Sequence, residues 1–139
     1  MEISVVRKRL TDTIERAKKT AAERRGRTDQ AAKDFDVFLQ KVAVPLVRQI
    51  ANALKADGYA FTVFTPSGSV RMMSDRSTDD FIEIALDATA DPPQAMAQIS
   101  RARGRRVIDE QRAIGAPDAL TEEQLLEFLL KELEAFVER

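Results

Sequence analysis

The spacing of apolar residues changes twice along the chain, and this pattern constrains the fold more than any other feature. Up to residue 56, apolar residues recur every three or four positions, as on one face of a helix. From Tyr59 to Ala88 they alternate with other residues, as in strands with one face in water. The helical spacing returns after Thr121. This order predicts helices first, then antiparallel strands, then a final helix.

The first helical pattern carries a narrow apolar stripe surrounded by charged residues. The stripe consists of Ile3, Val6, Leu10, Ile14, Ala17 and Ala21. A stripe this narrow is typical of a helix that lies against one partner helix, as in a coiled coil. We expect about six turns, ending at Gly26, with Thr28 and Asp29 capping a second helix.

The second helical pattern is broader and more hydrophobic. Its apolar face includes Phe35, Leu39, Leu46 and Ile50. Pro45 lacks the amide that would bond to the Lys41 carbonyl, so we expect a kink or a brief break there. Asp57-Gly58 ends the helix. The first 56 residues therefore predict an antiparallel helical hairpin.

Five strands are predicted between residues 59 and 114. Thr65-Pro66-Ser67-Gly68-Ser69 is typical of a tight turn, and it joins the first two strands into a hairpin. The third strand occupies Phe81 to Ala88, and Gly104 allows a second hairpin between 95–103 and 106–114. A helix over 94–103 is the competing interpretation, because Ala, Met and Gln favour helices.

A capping box marks the last helix. Thr121-Glu122-Glu123-Gln124 precedes a leucine-rich face, and its acidic first turn suits the positive end of the helix dipole. We therefore predict a single α+β domain over 1–139. It contains an N-terminal helical hairpin (1–56), a five-stranded antiparallel meander sheet (59–114) and a C-terminal covering helix (121–138).

Composition excludes several classes of chemistry. The 139 residues include no Cys and no His, which rules out disulfides, Cys/His zinc sites and His-based catalysis. Charge interrupts the first ten residues, so we expect no secretion signal, and no apolar run approaches the ~20 residues of a membrane span. We expect a cytoplasmic protein with no membrane partner. Its Ala- and Arg-rich composition is typical of small bacterial proteins.

Positive and negative charge alternate along the chain although the net charge is only −1. Residues 1–33 and 100–117 are basic, whereas 34–99 and 118–139 are acidic. Such a layout suits either a self-complementary assembly or a basic surface for a phosphate-rich partner.

The densest basic cluster surrounds the predicted turn at Gly104. Its members are Arg101, Arg103, Arg105 and Arg106, with Arg112 close by if the hairpin forms. Arginine forks match phosphate and carboxylate geometry, so the cluster is a candidate contact for nucleic acid or another anion. The competing interpretation, which we favour, is pairing with acidic segments of this chain or of a second copy. With one Tyr and no Trp, stacking platforms for single strands are scarce.

The basic residues of the first helix could also follow a phosphate backbone. Acidic residues interrupt them, and Glu15 with Lys19 and Asp12 with Arg16 form pairs four residues apart. We interpret them as solubilising pairs on an exposed helix.

No catalytic or metal site is predicted. Asp75, Asp79 and Asp80 share one loop, but they lack the spacing of a calcium loop. We expect Glu110 and Arg112 to lie on one strand face and to pair, which lowers rather than raises a carboxylate pKa. No cofactor is expected.

Three functions follow from these patterns, in descending order. The first is a non-enzymatic assembly or adaptor protein with an unidentified protein partner, which forms a homodimer through Ile3, Val6, Leu10, Ile14 and Ala17. The second is a nucleic-acid-binding or regulatory module that uses Arg101, Arg103, Arg105, Arg106 and Arg112 with the helix-one cations. The third is an enzyme that holds a small anion between Arg101, Arg103 and Arg112, for which no nucleophile or base can be named.

Overall fold

The computed structural model describes residues 1–138. Helix α1 spans Ile3–Phe38 and continues through a π-helical segment, Leu39–Ala43, into α2, Val44–Ala56. Five strands follow, β1 Phe61–Phe64, β2 Ser69–Ser74, β3 Phe81–Asp87, β4 Gln94–Arg103 and β5 Arg106–Gly115. Helix α3 spans Glu122–Val137.

The sheet confirms the predicted antiparallel meander. Its spatial order is β1-β2-β3-β4-β5, and every neighbouring pair is antiparallel. Residues 94–103 form a strand, so the competing helical interpretation was wrong. Tight turns at Gly68 and Gly104 have positive φ, where glycine is favoured because it has no Cβ.

The predicted break at Gly26 was wrong, and α1 is one helix of 36 residues instead of half of a hairpin. Gly26 does not adopt positive φ, and a Cβ placed there would meet nothing within 4 Å. A glycine inside a helix costs only about 1 kcal/mol relative to Ala. Gly26, Thr28 and Asp29 therefore did not end the helix, since long helical segments flank them on both sides.

The predicted irregularity near Pro45 was confirmed. The five-residue π segment lies directly before α2, in which Pro45 occupies the first turn. Because Pro45 has no amide to donate, the helix lacks one backbone hydrogen bond at this junction. A π turn contains one residue more than an α turn, so the buried pair Phe38 and Leu39 recurs eight positions later, as Leu46 and Val47, and stays on the core side.

One hydrophobic core joins the helices to one face of the sheet. Leu39 and Ala43 of the π segment, Met72 and Ile84 of the sheet, and Leu129 of α3 all belong to it. The capping box of α3 is present, with Thr121 accepting from the Gln124 amide at 3.2 Å. The C-terminal helix covers the sheet as expected, and the Phe136 ring meets Phe61 edge-on with centroids 6.2 Å apart.

The opposite face of the sheet carries no helix within the described chain. Cross-strand registers place Phe64, Arg71, Glu83, Gln98 and Gln111 in one row across it. Glu83 accepts from Arg71 at 3.0 Å, and the Arg71 guanidinium lies 4.1 Å from the centroid of the Phe81 ring. No helix within residues 1–138 has the length and apolarity needed to cross a membrane.

Candidate functional site

The N-terminal part of α1 extends away from the folded body. Every residue from 1 to 20 is exposed, and the first buried residue of the helix is Phe35. At about 1.5 Å per residue, the first 20 residues extend for about 30 Å beyond the core. The side chains of this segment are therefore exposed on every side of the helix.

The predicted apolar stripe lies on this extension and faces solvent. The exposed fractions are 74% for Ile3, 48% for Val6, 57% for Leu10 and 45% for Ile14. Ala17 is also exposed. Isolated exposed apolar residues are ordinary, but an aligned row of four large ones is typical of an interaction surface.

The exposed stripe continues the face by which α1 packs onto the body. Ile3, Ala21 and Leu39 are spaced by 18 residues, which is five turns at about 3.6 residues per turn. They therefore lie on one side of the helix, with Leu39 in the core and Ile3 in solvent. The same side of one helix is buried against the body at one end and bare at the other.

Two ion pairs anchor α1 where it leaves the body. Arg24 and Arg27 reach the Asp91 carboxylate at 3.8 and 3.4 Å. Asp91 belongs to the loop between β3 and β4. This contact could not be predicted from the sequence, because Arg27 and Asp91 are 64 positions apart and no local motif identifies them as partners.

The arginine turn, defined as Arg101, Arg103, Arg105 and Arg106, forms at the tip of the β4–β5 hairpin. Arg103 pairs with Arg106 across the hairpin, and the last three arginines are exposed. None of the four takes part in an ion pair among the described residues. Pairing of the turn with acidic segments of its own chain is therefore not seen in residues 1–138.

Arg112 does not belong to this turn. It lies six residues along β5 from Arg106, about 20 Å away at the rise of a strand. Its guanidinium bonds to Glu110, as the sequence predicted, and approaches Glu132 of α3 at 3.3 Å. The hydrogen bond that Arg112 donates to Glu110, followed by the charge of Glu132, raises the pKa of Arg112 above its ordinary value. Arg112 thus joins the sheet edge to α3, far from the arginine turn.

The three loop carboxylates have separate structural contacts. Asp75 accepts from the Thr62 hydroxyl at 2.5 Å, and Asp80 is buried and accepts from the Ala102 amide at 2.7 Å. The Asp79 amide donates to Ser77 Oγ in the same loop. Within the described part of the chain, no three His, Cys, Asp or Glu side chains are grouped so that they could hold a metal ion.

Comparison of the chain with models of protein families, with curated proteins and with solved structures gives no match.

Proposed function

We propose that this chain is a non-enzymatic assembly protein that forms a homodimer through the exposed stripe of α1 and presents its body to a further protein partner. The observation that carries the proposal is the bare row of Ile3, Val6, Leu10 and Ile14. Absence of Cys supports a reducing compartment, and we propose the bacterial cytoplasm.

The free helix itself supports a partner. Every residue from 1 to 20 is exposed in the part of the chain that the structure describes. Helices gain most of their stability from packing of an apolar face, and isolated ones are marginal in water. A second copy on the stripe supplies that packing, so formation of the dimer and of the helix are expected to be coupled.

The apolar area favours a weak dimer. Burying eight half-exposed large side chains, four from each copy, yields about 6–12 kcal/mol at about 1.5–3 kcal/mol per fully buried side chain. Association costs about 4–15 kcal/mol in lost freedom. The surplus is therefore at most about 8 kcal/mol, and we expect a dissociation constant of about 1 μM or weaker.

The test is the light-scattering mass over a hundredfold concentration range, with circular dichroism on the same dilutions. We expect the mass to rise from one to two chains and the helical signal per residue to rise with it. Leu10→Asp with Ile14→Asp should give a monomer at all concentrations. A matched control, Val5→Asp with Ala22→Asp, places the same charges off the stripe and should still dimerise. Unchanged association of the first variant would rule this interface out.

A second candidate function rests on the arginine turn, whose side chains form no ion pair among residues 1–138. Four guanidiniums at one hairpin tip suit phosphate groups, and contacts of this kind release counterions. We expect retention of duplex or single-stranded fragments at about 50 mM salt, which weakens steeply as salt rises. Replacing Arg103, Arg105 and Arg106 by Glu should abolish it, whereas Arg112→Gln should not. No retention by the parent protein at low salt would remove this candidate.

A further inference from the structure

The fold restricts how two copies can meet on the stripe, and this inference rests on the dimer proposed above. We infer that the second copy lies antiparallel on α1, over residues 3–21, with the two bodies at opposite ends. The partner on this surface is thus the N-terminal segment of another α1 and not an unrelated helix.

A parallel partner would collide with the body. The stripe lies on the side of α1 that carries Leu39, and beyond residue 21 this side is covered by the protein's own core and by the Asp91 loop. A helix that ran in the same direction would have to occupy that volume with its own residues 24–38. An antiparallel helix ends where the body begins, because its Met1 reaches only to about residue 23 of the first copy.

The side chains of the stripe are self-complementary in this antiparallel arrangement. When residue positions of the two copies add to about 24, Ile3 meets Ala21, Val6 meets Ala17 and Leu10 meets Ile14. Near both ends, a large residue of one copy then faces an alanine of the other. On each side of the centre, Leu10 of one copy meets Ile14 of the other. Alternation of large and small side chains is what allows two helices to pack without gaps. In a parallel arrangement Ala17 and Ala21 would face themselves and leave a gap.

Charge gives the arrangement a distinctive salt dependence. Residues 1–21 carry six basic and three acidic side chains, and Arg7 of one copy lies on the same flank as Lys18 of the other. Repulsion between like charges on an exposed surface is screened by salt. The dimer should therefore tighten as salt increases, which is opposite to the response expected for nucleic-acid binding.

Disulfide trapping tests the direction directly, since the chain has no Cys of its own. Two single variants, Val6→Cys and Ala17→Cys, are each oxidised alone and as an equal mixture, and products are identified by mass. In the antiparallel dimer positions 6 and 17 of different copies adjoin, while like positions lie about 16 Å apart, far beyond disulfide reach. We expect the mixed disulfide from the mixture and little product from either variant alone.

The outcomes separate this inference from the proposed function. Self-disulfides of each single variant would show a parallel dimer and overturn the antiparallel inference while leaving the dimer intact. If the parent protein is dimeric but the two Cys variants yield no disulfide alone or mixed, the dimer uses another surface, which overturns both. A parent protein that stays monomeric across the concentration range also overturns both. Mixed disulfide together with tightening of the dimer in salt supports the antiparallel arrangement.

Discussion

Asp80 accepts the backbone amide of Ala102 at 2.7 Å, and so connects the start of β3 to the end of β4 beside the arginine turn. The carboxylate is buried, so removing it deletes a charge-assisted hydrogen bond from the protein interior. Asp80→Ala should lower the free energy of unfolding by about 1–3 kcal/mol. Asp80→Asn keeps an acceptor oxygen and should cost less. Chemical denaturation measures both, and equal losses would contradict this role of the hydrogen bond.

Sequence alone identified Asp80 only as one of three clustered carboxylates. The cluster was visible, but its partners were not, because Asp80 and Ala102 are 22 positions apart. Arg112 illustrates the same limit. Its neighbour Glu110 could be predicted from strand alternation, whereas Glu132 comes from a helix whose placement depends on the whole core. The local pair of Glu110 and Arg112 was predicted correctly, whereas the predicted local pairs Glu15–Lys19 and Asp12–Arg16 are not among the ion pairs of residues 1–138. The long-range pairs could not be predicted.

Gly26→Ala should stabilise α1 by about 0.5–1 kcal/mol, because Gly26 is helical and exposed. The expected readout is slower amide hydrogen exchange over residues 20–32. Gly104→Ala is the control, since its φ of 63° is strained for any residue with a Cβ, and it should destabilise the protein. Faster exchange around residue 26 in Gly26→Ala would indicate that the chain turns there after all.

The strands and the last helix were predictable because their signals are local and agree with one another. Alternation from Tyr59 and the turn at Gly68 both indicate a hairpin, and the capping box at Thr121 precedes a regular leucine face. At Gly26 the local signals are ambiguous, because Gly and a following Thr-Asp occur in turns and are also tolerated in a long helix. The sequence pattern alone does not show whether the free-energy cost of a glycine inside the helix is outweighed by the helical residues on both sides.

The residues of the candidate surface could be predicted from the sequence, but the position of that surface in the fold could not. Spacing alone identified Ile3, Val6, Leu10 and Ile14 as one stripe. That this stripe continues the face of Leu39 depends on the absence of a turn at Gly26, which only the structure established. The direction of the proposed dimer follows from that continuity.

Replacing leucine by alanine at two positions of the same helical face distinguishes the role of the core from the role of the exposed stripe. Leu39→Ala removes a buried side chain and should lower the free energy of unfolding of the body by about 2–5 kcal/mol. Leu10→Ala removes an exposed one and should leave that value nearly unchanged at dilutions where the protein is monomeric. The same variant should raise the dimer dissociation constant. Chemical denaturation and light scattering measure the two effects, and a large loss of monomer stability in Leu10→Ala would place Leu10 against the body.

The Asp87 carboxylate at the end of β3 gives a prediction on pH. The Thr89 hydroxyl donates to it at 2.6 Å and the Thr89 amide at 3.0 Å. These bonds, the hydroxyl first, lower the pKa of Asp87 below its ordinary value of 3.8. A pKa lowered by folding contributes stability above the unfolded value, and this contribution is lost as pH falls through the folded value.

Thr89→Val keeps the shape and the backbone amide but removes the hydroxyl. The pKa of Asp87 should therefore rise towards 3.8, as followed by NMR titration of its side chain. The parent protein should be the more stable of the two near neutral pH, and the two should converge in acid once Asp87 is protonated in both. Thr78→Val, in an exposed loop, serves as the control and should leave the titration of Asp87 unchanged. An unshifted Asp87 titration in Thr89→Val would show that the hydroxyl does not stabilise the carboxylate.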